Sequence, residues 1–225
     1  MIRKTLRTTF LFSGLVVLAA CVSTPPPHES SDGLILQSET KFGQVYARPG
    51  ADLTRYSQYG LVDCQVEFKK NWMRDQNSNR INLSSRVGQD DVDRIKESLS
   101  QACDTQFKQA LEKAPAYNVV DSFDQGDAIM ILRPNIVNLD VSAPDVRSSG
   151  MSRSYTTESG EMTLVLELLD GSSGDVLVRI LDREAAADNG RMQWTNSVTN
   201  RSDADRILKR WAEQLRKGLD KVTRK

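Results

Sequence analysis

The chain has 225 residues, and its 30 basic side chains balance its 30 acidic ones. That neutrality gives no electrostatic footprint for nucleic acid, and charges of both signs interspersed along the chain read as a solvated surface. The length suits one domain with a real core and leaves little room for a second.

Residues 1–20 have the grammar of an export signal. Arg3, Lys4 and Arg7 precede an apolar run from Phe10 to Leu18, and small residues lead to Cys21. The run is shorter than the roughly 20 apolar residues that a spanning helix needs. Leu18-Ala19-Ala20-Cys21 resembles the lipobox of bacterial lipoproteins. The resemblance implies a diacylglycerol on the Cys21 thiol, cleavage before it, and acylation of the new amino group. The alternative is an ordinary secreted protein cut after Ala20, with an incidental cysteine. Each buried methylene contributes roughly 0.8 kcal/mol, so one acyl chain anchors marginally and several anchor firmly. Residues 21–42 are expected to form a tether, because Val22 to Asp32 is rich in Pro and Ser and poor in apolar groups. About 20 disordered residues would span about 25 Å on average. The only histidine, His28, falls in this tether, where nothing holds it against a nucleophile. Residues 43–225 form the body, and removal of three basic residues with the signal leaves the mature chain mildly acidic.

Tyr59 to Lys69 reads as a first strand, in which Val62, Cys64, Val66 and Phe68 share a buried face. A polar loop from Asp75 to Gln89 leads to an amphipathic helix over Asp90 to Lys113, with Val92, Ile95, Leu99, Cys103, Phe107, Ala110 and Leu111 on one stripe. Asp90, Asp91 and Asp93 invite a metal reading, but acids in a first helical turn are what capping and the helix dipole favour. Both thiols point into the layer between helix and sheet, so a Cys64–Cys103 disulfide is expected; two buried free thiols are the alternative. A catalytic thiol would need exposure and a depressed pKa.

Tyr117 to Val120 reads as a short strand, parallel to the first through a right-handed crossover. Ala128 to Val141 alternates as a long strand, bent or exposed at Pro134. Ser142 to Gly160 is a Ser- and Gly-rich connection. Met162 to Leu169 and Val176 to Leu181 form a hairpin around Asp170-Gly171-Ser172-Ser173-Gly174-Asp175, which lacks the alternating acids and distal glutamate of a calcium loop. The last helix is expected to be capped by Ser202 with Asp205 three residues on. Ile207, Leu208, Trp211, Leu215 and Leu219 lie on its apolar stripe, and Lys209, Arg210, Arg216, Lys217 and Lys221 on a solvated face. The expected fold is a single two-layer α/β domain, with a mixed sheet of about five strands and two main helices on one face.

Four stretches then carry a resemblance. They are Tyr46-Ala47-Arg48-Pro49-Gly50-Ala51-Asp52-Leu53 with Tyr56; Gly160-Glu161-Met162-Thr163-Leu164; Asp170 with Gly174-Asp175-Val176-Leu177; and Trp194 to Asn200 with Trp211-Ala212. In this order they resemble the bacterial lipoprotein family known as domain of unknown function 3313. The resemblance implies an exported, lipid-anchored envelope protein and transfers no catalytic residue. Val22 stands where an aspartate usually marks inner-membrane retention in such lipoproteins, so an outer-membrane, periplasm-facing location is expected.

No serine elbow, phosphate-cradling glycine loop or zinc spacing occurs, and no catalytic residue, metal or cofactor is expected. The expected partners are the membrane, through lipidated Cys21, and a protein of the envelope. The sequence leaves the oligomeric state undetermined. The partner-binding candidates are Arg147, Arg153 and Tyr155 in the long connection, and Trp194 before the last helix. A partner-binding or scaffolding module is therefore expected. Two alternatives stand beside it: a carboxylate-dependent envelope hydrolase using Glu161, Glu167, Asp182 or Glu184, and a passive structural lipoprotein.

Overall fold

The computed structural model describes residues 25–38, 40–78, 80–122, 128–141, 154–156, 160–185, 193–195 and 197–223; for 154–156, 193–195 and 197–200 it describes the backbone alone. Ten strands are described, β1 (Ile35–Leu36), β2 (Gln44–Ala47), β3 (Gln58–Leu61), β4 (Gln65–Phe68), β5 (Val119–Val120), β6 (Ile129–Val141), β7 (Ser154–Thr156), β8 (Gly160–Asp170), β9 (Val176–Ala185) and β10 (Gln193–Thr195). The helices are α1 (Trp72–Asn77), α2 (Gln89–Glu112) and α3 (Ser197–Thr223). Eight strands form one mixed sheet in the order β1-β2-β9-β8-β6-β3-β5, with β4 also on β6, and β7 pairs with β10. The class is mixed α/β as expected, but the sheet has eight strands rather than about five. Among the described residues no helix is long and apolar enough to cross a membrane.

Besides β2, in a stretch for which the sequence suggested no element, the extra strands come from two places. The first is the segment expected to be a tether. Glu29 bridges Ile35, Leu36 N donates to His28 O at 2.8 Å, and β1 pairs antiparallel with β2, so residues 28–36 make a small hairpin on the sheet edge. Leu34 is fully buried, and Asp32 receives a two-pronged contact from Arg179 at 2.8 and 2.9 Å. Apolar burial and a paired charge offset an ordering entropy that composition alone counted as prohibitive. Residues 28–36, within the stretch expected to be a tether, thus pair on the sheet edge.

The second source is the strand expected over Tyr59 to Lys69, which is two strands broken at residues 62–64. Both lie parallel to β6: Leu61 is level with Leu132, and Gln65 with Asn135. Val62 N donates to Leu132 O at 2.9 Å, so the backbone groups of alternate β6 residues, Leu132 and then Pro134, face this side. Pro134 falls in the gap between β3 and β4, where its missing N–H interrupts no ladder. It is neither exposed nor a chain end; it is fully buried in a central strand.

The core lies between the even-numbered face of β6 and β8, with Leu132, Ile136, Leu164 and Leu166 at 0% exposure, and the apolar stripes of α2 and α3. β3 and β5 are parallel as expected. α3 begins at Ser197, not at a Ser202 cap, because no Gly or Pro intervenes to stop the helix extending back. Arg216, expected on the solvated face, is buried.

Candidate functional site

Cys64 and Cys103 are bonded to each other, with Cα atoms 6.2 Å apart and a sequence separation of 39. The bond closes a tripod. In the strand break, the N–H of Cys64 donates to Asp104 Oδ1 at 2.8 Å and its carbonyl accepts from Ser100 Oγ at 2.7 Å. Ser100, Cys103 and Asp104 are neighbours on one helical face, so one turn of α2 holds one residue by three attachments. The two backbone groups that the break orphans are both satisfied. Burial pushes the Asp104 carboxyl up, the Cys64 N–H opposes this, and Asp63 adds to it.

Beside the tripod, at the carboxyl ends of β3 and β5, lies a cleft of about 250 Å³. Its floor is Leu61, Val119 and Val120, and its rim holds Asp63, Asp104, Asp121 and Lys108. Among the described residues no group of three or more His, Cys, Asp or Glu side chains could hold a metal ion. The acids of the α2 first turn follow the capping reading: Asp91 accepts from Gly88 N at 3.0 Å and from Arg94 at 2.7 Å, and Asp93 accepts from Gln89.

Residues of the first and third motif stretches meet each other, while Gly160 and Trp211 meet residues outside the four stretches. Arg48 donates to Val176 O through Nε and to Leu177 O through its backbone N–H, both at 2.8 Å, tying the turn after β2 to the start of β9. Tyr56 donates to Asp170 Oδ2 at 2.5 Å, while Asp170 Oδ1 accepts from Ser172 N and Ser173 N at 2.8 and 3.0 Å. The Ser172 hydroxyl, the Tyr56 hydroxyl and the Ser173 N–H hold the Asp170 carboxyl well below the usual range. Burial, then Asp170, pushes the Tyr56 phenol up to about 12. Gly160 has φ +138°, and a Cβ there would run into the carbonyl oxygen of Asp140. Trp211, fully buried, donates to Asp182 Oδ2 at 2.7 Å. These contacts tie distant segments of the fold to one another.

Each of the four carboxylates weighed for hydrolysis has a hydrogen-bonded or charged partner. Glu161 pairs with Arg183; Glu167 with Arg133 at 2.6 Å and Arg179 at 2.8 Å; Asp182 with Trp211; Glu184 with Arg210 at 2.7 Å. Burial raises the Glu167 carboxyl, but the bonds from Arg133 and Arg179 outweigh it, and the net shift is downward.

Of the expected partner-binding residues, Arg147 and Arg153 lie outside the described residues, as do the lipidation candidate Cys21 and most of the 142–160 connection. Tyr155 and Trp194 are Cα partners in the β7–β10 pair, which joins the connection to the stretch before α3. The sequence places Tyr155 in the long connection and Trp194 in the stretch before the last helix, and gives no sign that they meet. It also hides the role of Arg216. This side chain donates to the carbonyls of Ala110, Lys113 and Pro115 at 2.8, 2.7 and 2.6 Å, pairs with Asp220, and lies 4.8 Å from the Tyr117 ring. It caps the C-terminus of α2 from another helix.

A family model described as a protein of unknown function, DUF3313, matches residues 30–215. Solved structures similar to the chain include a PelC dodecamer from Paraburkholderia phytofirmans, at 12% identity over 76% of this chain and 98% of that one, with a TM-score of 0.35. Another is a DUF330 protein from Xanthomonas campestris, at 13% identity over 79% of this chain and 90% of that one, with a TM-score of 0.39. No curated protein matches the chain.

Proposed function

The chain belongs to the protein family of unknown function DUF3313, and from that premise we propose that it is a lipid-anchored protein of the bacterial envelope that binds or scaffolds a partner. Cys21 carries the anchor, at the junction of the apolar run and the Pro-rich stretch. Val22 after it favours the outer membrane, with the body in the periplasm. The observation that carries the partner-binding part is the β7–β10 pair. It sets Tyr155 opposite Trp194 in a two-stranded ribbon apart from the main sheet. Tyrosine and tryptophan are the residue types that most often anchor protein interfaces.

The test is photocrosslinking in cells from positions 155 and 194, with the Cys21→Ser chain as control. One envelope protein should be captured from both positions, and the Cys21→Ser chain should leave the membrane fraction. Diffuse products from both positions would remove the partner-binding reading. A Cys21→Ser chain still in the membrane fraction would remove the anchor.

A further inference from the structure

We propose that the loop between α1 and α2 is a second membrane contact, which inserts Ile81 and Leu83 among the headgroups of an anionic phospholipid surface. The loop has an internal hydrogen-bonded frame. Asn77 and Val87 close its neck with two bonds, Val87 N to Asn77 Oδ1 at 2.8 Å and Asn77 Nδ2 to Val87 O at 2.9 Å. Arg80 spans the interior, donating to Gln76 O at 3.1 Å and Ser85 O at 2.6 Å, and Arg86 donates back to Arg80 O at 3.1 Å. Beneath it, Trp72, Val87 and Val92 form a small apolar cluster of their own. On this frame Ile81 is 96% exposed and Leu83 is 74% exposed, with Met73 of α1 at 38%. Water does not select two large aliphatic tips on a hydrogen-bonded frame, whereas the boundary between headgroups and acyl chains does.

The charge around the tips fits the same surface. From Lys69 to Gly88 the chain carries Lys69, Lys70, Arg74, Arg80 and Arg86 against the single acid Asp75. Lys69 is paired with Asp140 and Arg74 with Asp75, both at 3.0 Å, and Lys70, Arg80 and Arg86 give the segment a net positive charge, the sign that anionic lipid attracts.

The direction of the chain supports the same orientation, and this part rests on the anchor reading of Cys21. Trp72 Nε1 and Gln76 Nε2 both donate to Val141 O at 3.2 Å, which fixes the loop at the end of the sheet where β6 stops. β9 runs toward this end as well, to Ala185. The hairpin of residues 28–36 is antiparallel to β1, β1 to β2, and β2 to β9, with Gln44 level with Leu181. Followed backwards from His28, the chain is therefore directed toward the end that carries the loop. Cys21 is six residues before Pro27, a reach of at most about 20 Å. That reach lets an anchor at Cys21 and the loop address one membrane.

The experiment uses the Cys21→Ser chain, which has no thiol to acylate, and sedimentation with vesicles of phosphatidylglycerol and phosphatidylethanolamine. It is compared with the same chain carrying Ile81→Ser and Leu83→Ser. Any binding by residues 1–20 is common to both, so the difference reports the loop. The pair of substitutions should lower partitioning by about tenfold or more. Vesicles of phosphatidylcholine alone should bind the Cys21→Ser chain more weakly than anionic ones. Both tips are exposed, so the two proteins should melt at the same temperature. Equal partitioning of the two proteins overturns the proposal, as does absence of binding to anionic vesicles. Failure of the anchor reading shows elsewhere, as a chain whose place in the membrane fraction of cells does not depend on Cys21.

Discussion

Arg216 illustrates how little a residue's type says about its task. On a helical projection it borders the basic side of α3, beside Lys217, and only tertiary structure reveals that three carbonyls at the end of α2 converge on it. Replacing it with Met keeps most of the aliphatic volume and leaves those carbonyls unmatched. The loss of a buried, multiply bonded cation should cost about 3 kcal/mol, read as a lowered denaturation midpoint with an unchanged slope. Asp170 was equally hidden. Its sequence context suggested a plain turn, and the turn is there, but the bond from Tyr56, 114 residues away, was not legible. Local patterns encode turns and stripes; the partner of a polar side chain is set by the whole fold.

Among the elements, α2 was read closely, over Asp90 to Lys113 against an observed Gln89–Glu112, because a long apolar period of 3.6 residues has few competing explanations. The pairing of Cys64 with Cys103 followed from two faces meeting across the core. The break between β3 and β4 did not, since an alternating pattern continues through it: Cys64 and Val66 both stay buried. Pro134 on the neighbouring strand lies level with the break, and the side chains of Ser100 and Asp104 on α2 satisfy the backbone of Cys64 within it. The crosslink encloses about 40 residues and should contribute about 4 kcal/mol on the chain-entropy account. Cys64→Ala with Cys103→Ala should lower the melting temperature correspondingly. Because both cysteines are at most 1% exposed, mild reductant should leave the bond of the native protein intact, read as no titratable thiol, unless denaturant is added.

For the molecule as a whole, acid is the informative perturbation. The Arg179 guanidinium and the Ser30 hydroxyl hold Asp32 well below the usual carboxylate range, and the hydroxyls of Ser172 and Tyr56 do the same for Asp170. The unfolded chain takes up protons at these positions first as the pH falls. Their stabilising contribution is therefore complete above about pH 5 and is lost progressively below it. Thermal melts should show a flat region near neutrality and a decline from about pH 5 downward, shallower in an Asp170→Asn variant. The edge hairpin of residues 28–36 was invisible to composition for a related reason. Pro, Ser and acids look like a tether until Arg179, on a strand 147 residues away, supplies the countercharge.

The cap on α2 also has a meaning in time. Lys113 O waits for a side chain that lies 103 residues later in the chain, so a ribosome or a secretion channel delivers the middle helix long before the residue that finishes it. Until α3 emerges, the end of α2 has its carbonyls bare and Tyr117 without the cation that covers its ring. The domain therefore closes late and from its C-terminal end. A nascent chain halted short of Arg216 should remain open to proteases and chaperones, even with every strand of the main sheet already made.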